Sequence, residues 1–376
     1  MHDYSDIDEN RESAESESPS ALSRSSEFVV TGEQAGQRLD RFLAAQFPDI
    51  SRTQVQTLID QGRVLVGGIA KKPSHHVELG EQIAVEIAPP PVPGVEAENI
   101  PLAFLYQDAD IAIVNKPAGM IVHPGAGADA GTLVAALLHH FGVGKGLSSV
   151  GGPLRPGIVH RLDKGTSGAI VIARNDAAHL KLIKEFRERR VQKTYVALLH
   201  GAVKGAKGTI ELPVARDLRR RSRMTSRRAE GREARTDWRL RLRLGNFSLI
   251  EADLHTGRTH QIRVHFSALG FPVVGDTLYG APHQERIGRA MLPSLGRNFL
   301  HAARIAFAHP RTGQQMEFRA PLPDELVLYI HELGGLIEQQ PSEMEKSRGG
   351  LKENASAATA NGVSRTVIDA ALKDYL

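Results

Sequence analysis

Apolar positions follow two periods along the chain, and each change of period marks a change of structure. Residues 1–27 are polar, acidic and Ser-rich without apolar periodicity, which predicts a disordered tail. From Gly36 the spacing becomes helical. Leu39, Phe42, Leu43 and Phe47 recur every three or four residues until Pro48 stops them. Ser51 is placed to cap a second helix over 52–61, with Val55, Leu58 and Ile59 on one face and Gly62 at its end. Val64 to Gly68 then read as a strand and turn, and 77–87 as a strand pair around Gly80. This predicts a compact module over 28–88.

The run Pro89-Pro90-Pro91-Val92-Pro93-Gly94 has few backbone donors and predicts a stiff linker over 89–99. A larger domain is expected over 100–336. Short apolar runs at 111–114, 169–173, 195–199 and 247–252 alternate there with two clear helices over 132–141 and 177–189. Strands outnumber helices, so the expected class is α+β, built on a mixed, largely antiparallel sheet. Residues 337–376 are expected to be mostly disordered and peripheral to the fold, with a short helix over 367–372.

Composition narrows the chemistry. The chain of 376 residues has no cysteine, which removes disulfides, thiolate nucleophiles and thiolate metal sites and fits a reducing compartment. No apolar run approaches the roughly 20 residues of a membrane span, and the N-terminus is no signal peptide, so a soluble, cytoplasmic protein is expected. The net charge is +4, yet the first 27 residues hold eight Asp/Glu against two Arg. Setting aside that −6 leaves +10 on the remainder, a balance suited to a polyanionic partner.

Four stretches pair reactive residue types with glycines: NKPAGMIVHPG at 115–125, HRLDKGTSG at 160–168, KTYVALLHG at 193–201 and TGRTHQIRVH at 256–265. In the second, Asp163 sits between cations on a loop flanked by apolar, strand-like runs, where rigid scaffolds present chemistry. From Arg216 to Arg235, both included, there are nine arginines, no lysine and three acids. This predicts a loop or hairpin lying on phosphates through Arg219, Arg220, Arg221 and Arg223, with a merely solvated loop as the alternative. Six histidines, His139, His140, His160, His255, His260 and His265, form no HExxH motif, and the last three are expected on separated strand positions. No zinc site is expected, and neither GxxxxGK[ST] nor GxGxxG occurs.

Two resemblances follow from these motifs. GQRLDRFLA, SRTQVQTLIDQGRVLVGG and the closing strand resemble the alpha-L RNA-binding domain. This implies that Arg38, Arg41, Arg52 and Lys71 face structured RNA; on charge alone they form a solvated surface. The four larger motifs, with VVGDTLYG at 273–280 and HAARIAFAHP at 301–310, resemble the RluA-type pseudouridine synthases, most closely the branch acting on large-subunit ribosomal RNA.

The resemblance implies isomerisation of uridine without a metal or organic cofactor. Asp163 is implied as the nucleophile, at the anomeric carbon of the sugar or through glycal formation, and Arg263 as its partner. Tyr195 is implied to stack on the flipped base and to share in removing a proton, and Arg161 to fill the gap the base leaves. A cation within a few ångströms lowers a carboxyl pKa by roughly 1–3 units and so keeps a buried aspartate ionised. Read without the motif, Asp163 and Arg263 are a structural ion pair joining two strands, and Tyr195 an ordinary strand residue. Gly165 stands where related sequences commonly carry an acid, and altered local RNA contacts are expected from it. The partner implied is large-subunit ribosomal RNA, free or in the assembling subunit, met by a monomer. A non-catalytic RNA-binding ribosome-assembly factor is the rival reading, and a base-excising glycosylase a third.

Overall fold

The computed structural model describes residues 24–47, 52–87, 94–125, 130–220, 223–228, 230–339 and 364–376. The chain divides into two compact units, Asn10–Pro93 and a body over Gly94–Leu376.

The smaller unit contains β1 (Arg24–Val29), α1 (Leu39–Gln46), α2 (Arg52–Asp60), β2 (Val64–Val66), β3 (Ile69–Ala70) and β4 (Gln82–Ile87). Its antiparallel sheet has the order β1-β4-β2-β3. The helical spacing places Leu39, Phe42, Leu43, Val55 and Ile59 against Val64, Val66, Ile83 and Val85 in one core. Gly67 and Gly68 both have positive φ, as the tight turn from β2 to β3 requires. The capping residue expected at Ser51 lies outside the described residues.

Two expectations fail here. β1 begins at Arg24, inside the stretch read as a tail, because backbone pairing of Arg24 with Ile87 and Glu27 with Ala84 asks nothing of side-chain hydrophobicity. The strand pair around Gly80 is half loop. The Val77 N–H donates to the Gln37 carbonyl and its carbonyl accepts from Gly36, so its backbone serves the approach to α1 instead of a sheet.

The larger unit carries the nine-stranded sheet β5-β6-β7-β16-β8-β13-β12-β9, with β17 paired to β16. The strands are β5 (Ala103–Gln107), β6 (Ile111–Lys116), β7 (Ser167–Ala173), β8 (Gln192–His200), β9 (Lys207–Glu211), β12 (Arg235–Leu244), β13 (Phe247–Leu254), β16 (Leu300–Ala308) and β17 (Gln315–Arg319). The short pairs β10 (Ala215–Arg216) with β11 (Met224–Thr225) and β14 (Glu285–Ile287) with β15 (Ala290–Leu292) lie outside it. Only β7 and β16 are parallel within that sheet, so the expected mixed, largely antiparallel α+β architecture is present.

Helices cover both faces: α3 (Leu133–Phe141), α4 (Asp176–Arg187), α5 (Gln261–Ala268), α6 (Asp324–Glu338) and α7 (Arg365–Leu372). Along β8, Tyr195, Ala197 and Leu199 enter the core with α3 and α5, while Val196 and Leu198 enter the core with α6 and α7. Every residue of β7 is buried, the pattern of a strand covered on both sides.

The sequence reading missed α5. Gln261-Ile262-Arg263-Val264-His265-Phe266 alternates polar and apolar like a strand, but all six residues are buried in a helix whose polar members have internal partners. His265 is therefore helical, correcting its expected strand position. The helix α6 was also unlisted by the spacing, and it runs past the expected boundary at 336. The second half of the expected linker is no free spacer, for Val95 packs on the core and Glu98 accepts the Gly131 N–H. The C-terminal stretch contributes to the fold through buried Ile368, Leu372 and Tyr375, against the expectation that it would not.

Candidate active site

The loop before β7 delivers Asp163. Leu162 is buried while its neighbours Arg161 and Lys164 are exposed, so the apolar anchor turns the next residue inward. The Thr166 N–H donates to the Asp163 carbonyl, and the Gly119 N–H to the Lys164 carbonyl, tying this loop to NKPAG. At Gly168, with φ +117°, a Cβ would lie 2.3 Å from the Ala302 carbonyl, so only glycine lets β7 start against β16. At Gly165 a Cβ would meet only the end of a side chain, Asn298 Oδ1, at 2.7 Å, and the Gly165 carbonyl accepts from Arg297 at 2.9 Å. The departure from the related sequences is thus matched by close packing within the chain.

Asp163 retains 17% of its side-chain exposure. Arg263 Nη1 donates to Oδ2 at 3.0 Å, and His260 Nε2 lies 3.8 Å from the same oxygen. Burial alone would raise the carboxyl pKa, but His260 when protonated and the permanent Arg263 charge outweigh it and hold Asp163 below the usual range. The guanidinium is itself fixed. Its Nε and Nη2 donate to both oxygens of buried Asp276, at 2.6 and 3.0 Å. Burial opposes the Arg263 charge, but Asp276 and Asp163 together push its pKa up. The arrangement is a carboxylate kept ionised by an arginine locked from behind, with the lock joining a loop to a helix instead of two strands.

Tyr195 lies on β8, nearly buried. Burial first, and then the Asp163 charge, push its phenol pKa up, so it stays protonated at neutral pH. A flat ring beside the carboxylate suits stacking, and a phenol that keeps its own proton is no base at neutral pH.

Several residues here were not singled out in the sequence. Lys116 is fully buried, and its Nζ donates to the Pro117 and Met120 carbonyls at 2.8 and 2.9 Å. Burial pushes it down to about 7, while the Asp163 charge holds it up. Tyr279 is a hub: its hydroxyl accepts the Met224 N–H and hydrogen bonds His260 Nδ1, both at 2.8 Å. Arg263 and Arg223 stand over its ring at 4.9 and 5.2 Å. His260 adopts φ 58°, a left-handed conformation rare for a non-glycine residue, at the entrance of α5. Asp276 and Tyr279 both lie in the VVGDTLYG segment, which carried resemblance but no assigned role.

The expected RNA-facing residues divide. Arg219 and Arg220 are exposed in the β10–β11 hairpin, Arg223 is half-buried, and Arg221 lies outside the described residues. In the smaller unit Arg41 and Lys71 are exposed, whereas Arg38 and Arg52 grip Asp40 at 3.2 and 2.8 Å. Asp108, Asp110 and His309 bring potential metal-ligating atoms within 4.8 Å, but these carboxylates already bind Arg311, Asn175, Tyr106 and backbone N–H groups.

The RNA pseudouridylate synthase family profile matches residues 110–268, and the S4 domain profile residues 37–83. An uncharacterized RNA pseudouridine synthase of Aquifex aeolicus is 44% identical over 79% of this chain and 93% of its own. Another, of Chloroflexus aurantiacus, is 47% identical over 81% and 92%. The ribosomal large subunit pseudouridine synthase D of Zymomonas mobilis is 40% identical over 80% and 95%. The chain belongs to the RNA pseudouridine synthase family. It is an isomerase acting on RNA, with an S4-type RNA-binding unit ahead of the catalytic one.

Proposed function

We propose that the protein converts uridines of large-subunit ribosomal RNA to pseudouridine, with Asp163 as nucleophile. The observation that carries the reading is the Asp163 carboxylate, partly open and ionised, with one oxygen bound by an arginine whose remaining edge is locked on Asp276. The Asp163 carboxylate adds to the anomeric carbon as the bond to uracil N1 breaks. The uracil turns, its C5 bonds the same carbon as the carboxylate leaves, the C5 proton passes to solvent, and N1 takes up a proton in its place. Atoms balance without a co-reactant, as an isomerisation requires.

Tyr195 supports the turned base, and exposed Arg161 enters the gap left by the extruded nucleotide. Ribosomal RNA is favoured as substrate because relatives named for large-subunit synthase D align over most of this chain. The protein meets it as a monomer, on free RNA or the assembling subunit. Incubation with large-subunit RNA lacking pseudouridine, followed by carbodiimide labelling and primer extension, tests the reading. New stops at discrete uridines with wild type and none with Asp163→Asn are expected; binding without stops on both free RNA and immature subunits would refute it.

A further inference from the structure

Beside the β10–β11 hairpin lies a cavity of about 200 Å³. That is small beside the roughly 300–1,000 Å³ of pockets enclosing whole small molecules, yet several times the roughly 30 Å³ of one water. Arg216, Arg228, Arg232 and Arg258 line it, and Glu230 is the one acid among its lining residues. Glu230 pairs with Arg228 at 2.7 Å but is 82% exposed, so solvent screens much of its charge. The walls are built. Val214 and Arg232 exchange backbone hydrogen bonds at 2.8 and 2.9 Å, and a Cβ on Gly231 would lie 2.9 Å from Pro213 Cβ, which presses the turn onto the strand. Arg258 is buried, with its Nε fixed on the Glu233 carbonyl at 3.1 Å.

We propose that this cavity seats one backbone phosphate of the RNA substrate, between Arg258 at its base and Arg228 and Arg232 at its rim. Its size admits a phosphodiester, and guanidinium groups bind phosphate through paired N–H donors. The seat is also connected to the chemistry. The Arg258 N–H and carbonyl bracket Gln261 at 3.0 Å each, forming the turn from which His260 and Arg263 reach Asp163. A phosphate held at Arg258 therefore fixes the register of the RNA relative to the turn that carries the carboxylate's partners.

The proposal rests on the reading of the chain as an RNA-modifying enzyme, but its test needs no turnover. The full-length protein is titrated with a fluorescent stem-loop transcript of large-subunit RNA across a range of salt. Each phosphate contact contributes about 0.7–0.9 to the slope of log affinity against log salt. Arg228→Gln and Arg232→Gln should each lower that slope by about 1 and weaken binding to every sequence alike. Glu230→Gln, at an exposed position where folding is not at stake, should tighten binding roughly two- to threefold by freeing Arg228. Unchanged slopes in both arginine variants, or no tightening in Glu230→Gln, would overturn the seat. Altered slopes in a protein that converts no uridine in the primer-extension assay would leave the seat standing and remove the substrate assignment instead.

Discussion

Asp40 and Asp163, one in each unit, are both held by arginines, and they are held differently. Asp40, on α1, is fully buried. Its two oxygens accept from Arg38, Arg52 and Gln56. Burial would raise its pKa, but these partners hold it far below the usual range. Asp163 keeps part of its side chain open, and among the described residues its Oδ1 carries no hydrogen bond. The same pair of residue types is saturated where it joins α1 to α2 and left one-sided where a substrate atom must arrive. Arg38 and Arg52 are correspondingly immobilised, while Arg263 is immobilised by Asp276 so that Asp163 need not be.

The comparison is broken most severely at Asp163. Asp163→Asn should reduce pseudouridine formation by at least about four orders of magnitude, as removal of a nucleophile does. Thermal stability should change little, because Arg263 keeps both bonds to Asp276; product analysis and a melting curve on one preparation check both halves.

Arg263→Lys comes next, with a loss of about 10²–10³-fold in kcat, the scale of losing one preorganised electrostatic partner. Weakening the cation leaves burial less fully opposed at Asp163 and raises its pKa. The acid limb of the pH–rate profile should therefore move to higher pH; an unmoved limb would count against the pairing.

Asp40→Ala sharpens the contrast from the other side. It should destabilise the smaller unit by about 2–3 kcal/mol, less than a fully buried pair because both arginines are about half exposed. Since the folded pKa of Asp40 is depressed, its contribution is complete above an unfolded value of about 3.9 and is lost as pH falls toward the folded one. Wild type should thus lose stability below about pH 4 more steeply than the variant, measured by denaturation at several pH values. RNA affinity should fall while kcat at saturating RNA persists.

Tyr279→Phe is the mildest change. It removes bonds to Met224 and His260 but keeps the ring beneath Arg263 and Arg223. A loss of roughly three- to tenfold in kcat/KM is expected from hydrogen bonds of ordinary net strength.

Legibility in the sequence tracked how locally each feature is determined. Both helices of the smaller unit, and α3 and α4, follow from apolar spacing within single segments. The Asp163–Arg263 pair was legible only through motif resemblance, since its members are 100 positions apart. The α5 helix was misread because burial on every side erases the polar face that gives amphipathic helices their period. Asp276 and Tyr279 went unassigned for a related reason. Their importance lies in what they hold, and nothing local to GDTLYG announces the guanidinium behind it. Gly165 read as a lost charge, when the space it leaves is filled by Asn298 from more than a hundred residues downstream.

The parallel pairing of β7 with β16 has a consequence for the order of events at the ribosome that makes this chain. Ser167, four residues after Asp163, aligns with His301, and its hydroxyl meets the His301 ring at 2.8 Å. The S4-type unit is complete by Ile87, whereas that seam cannot close until residue 301 has emerged. At roughly 5–20 residues per second, the interval lasts about 10–40 s. For that time the nascent chain has all the residues of its S4-type unit and no finished catalytic centre, so the means of holding RNA can be complete before the means of altering it.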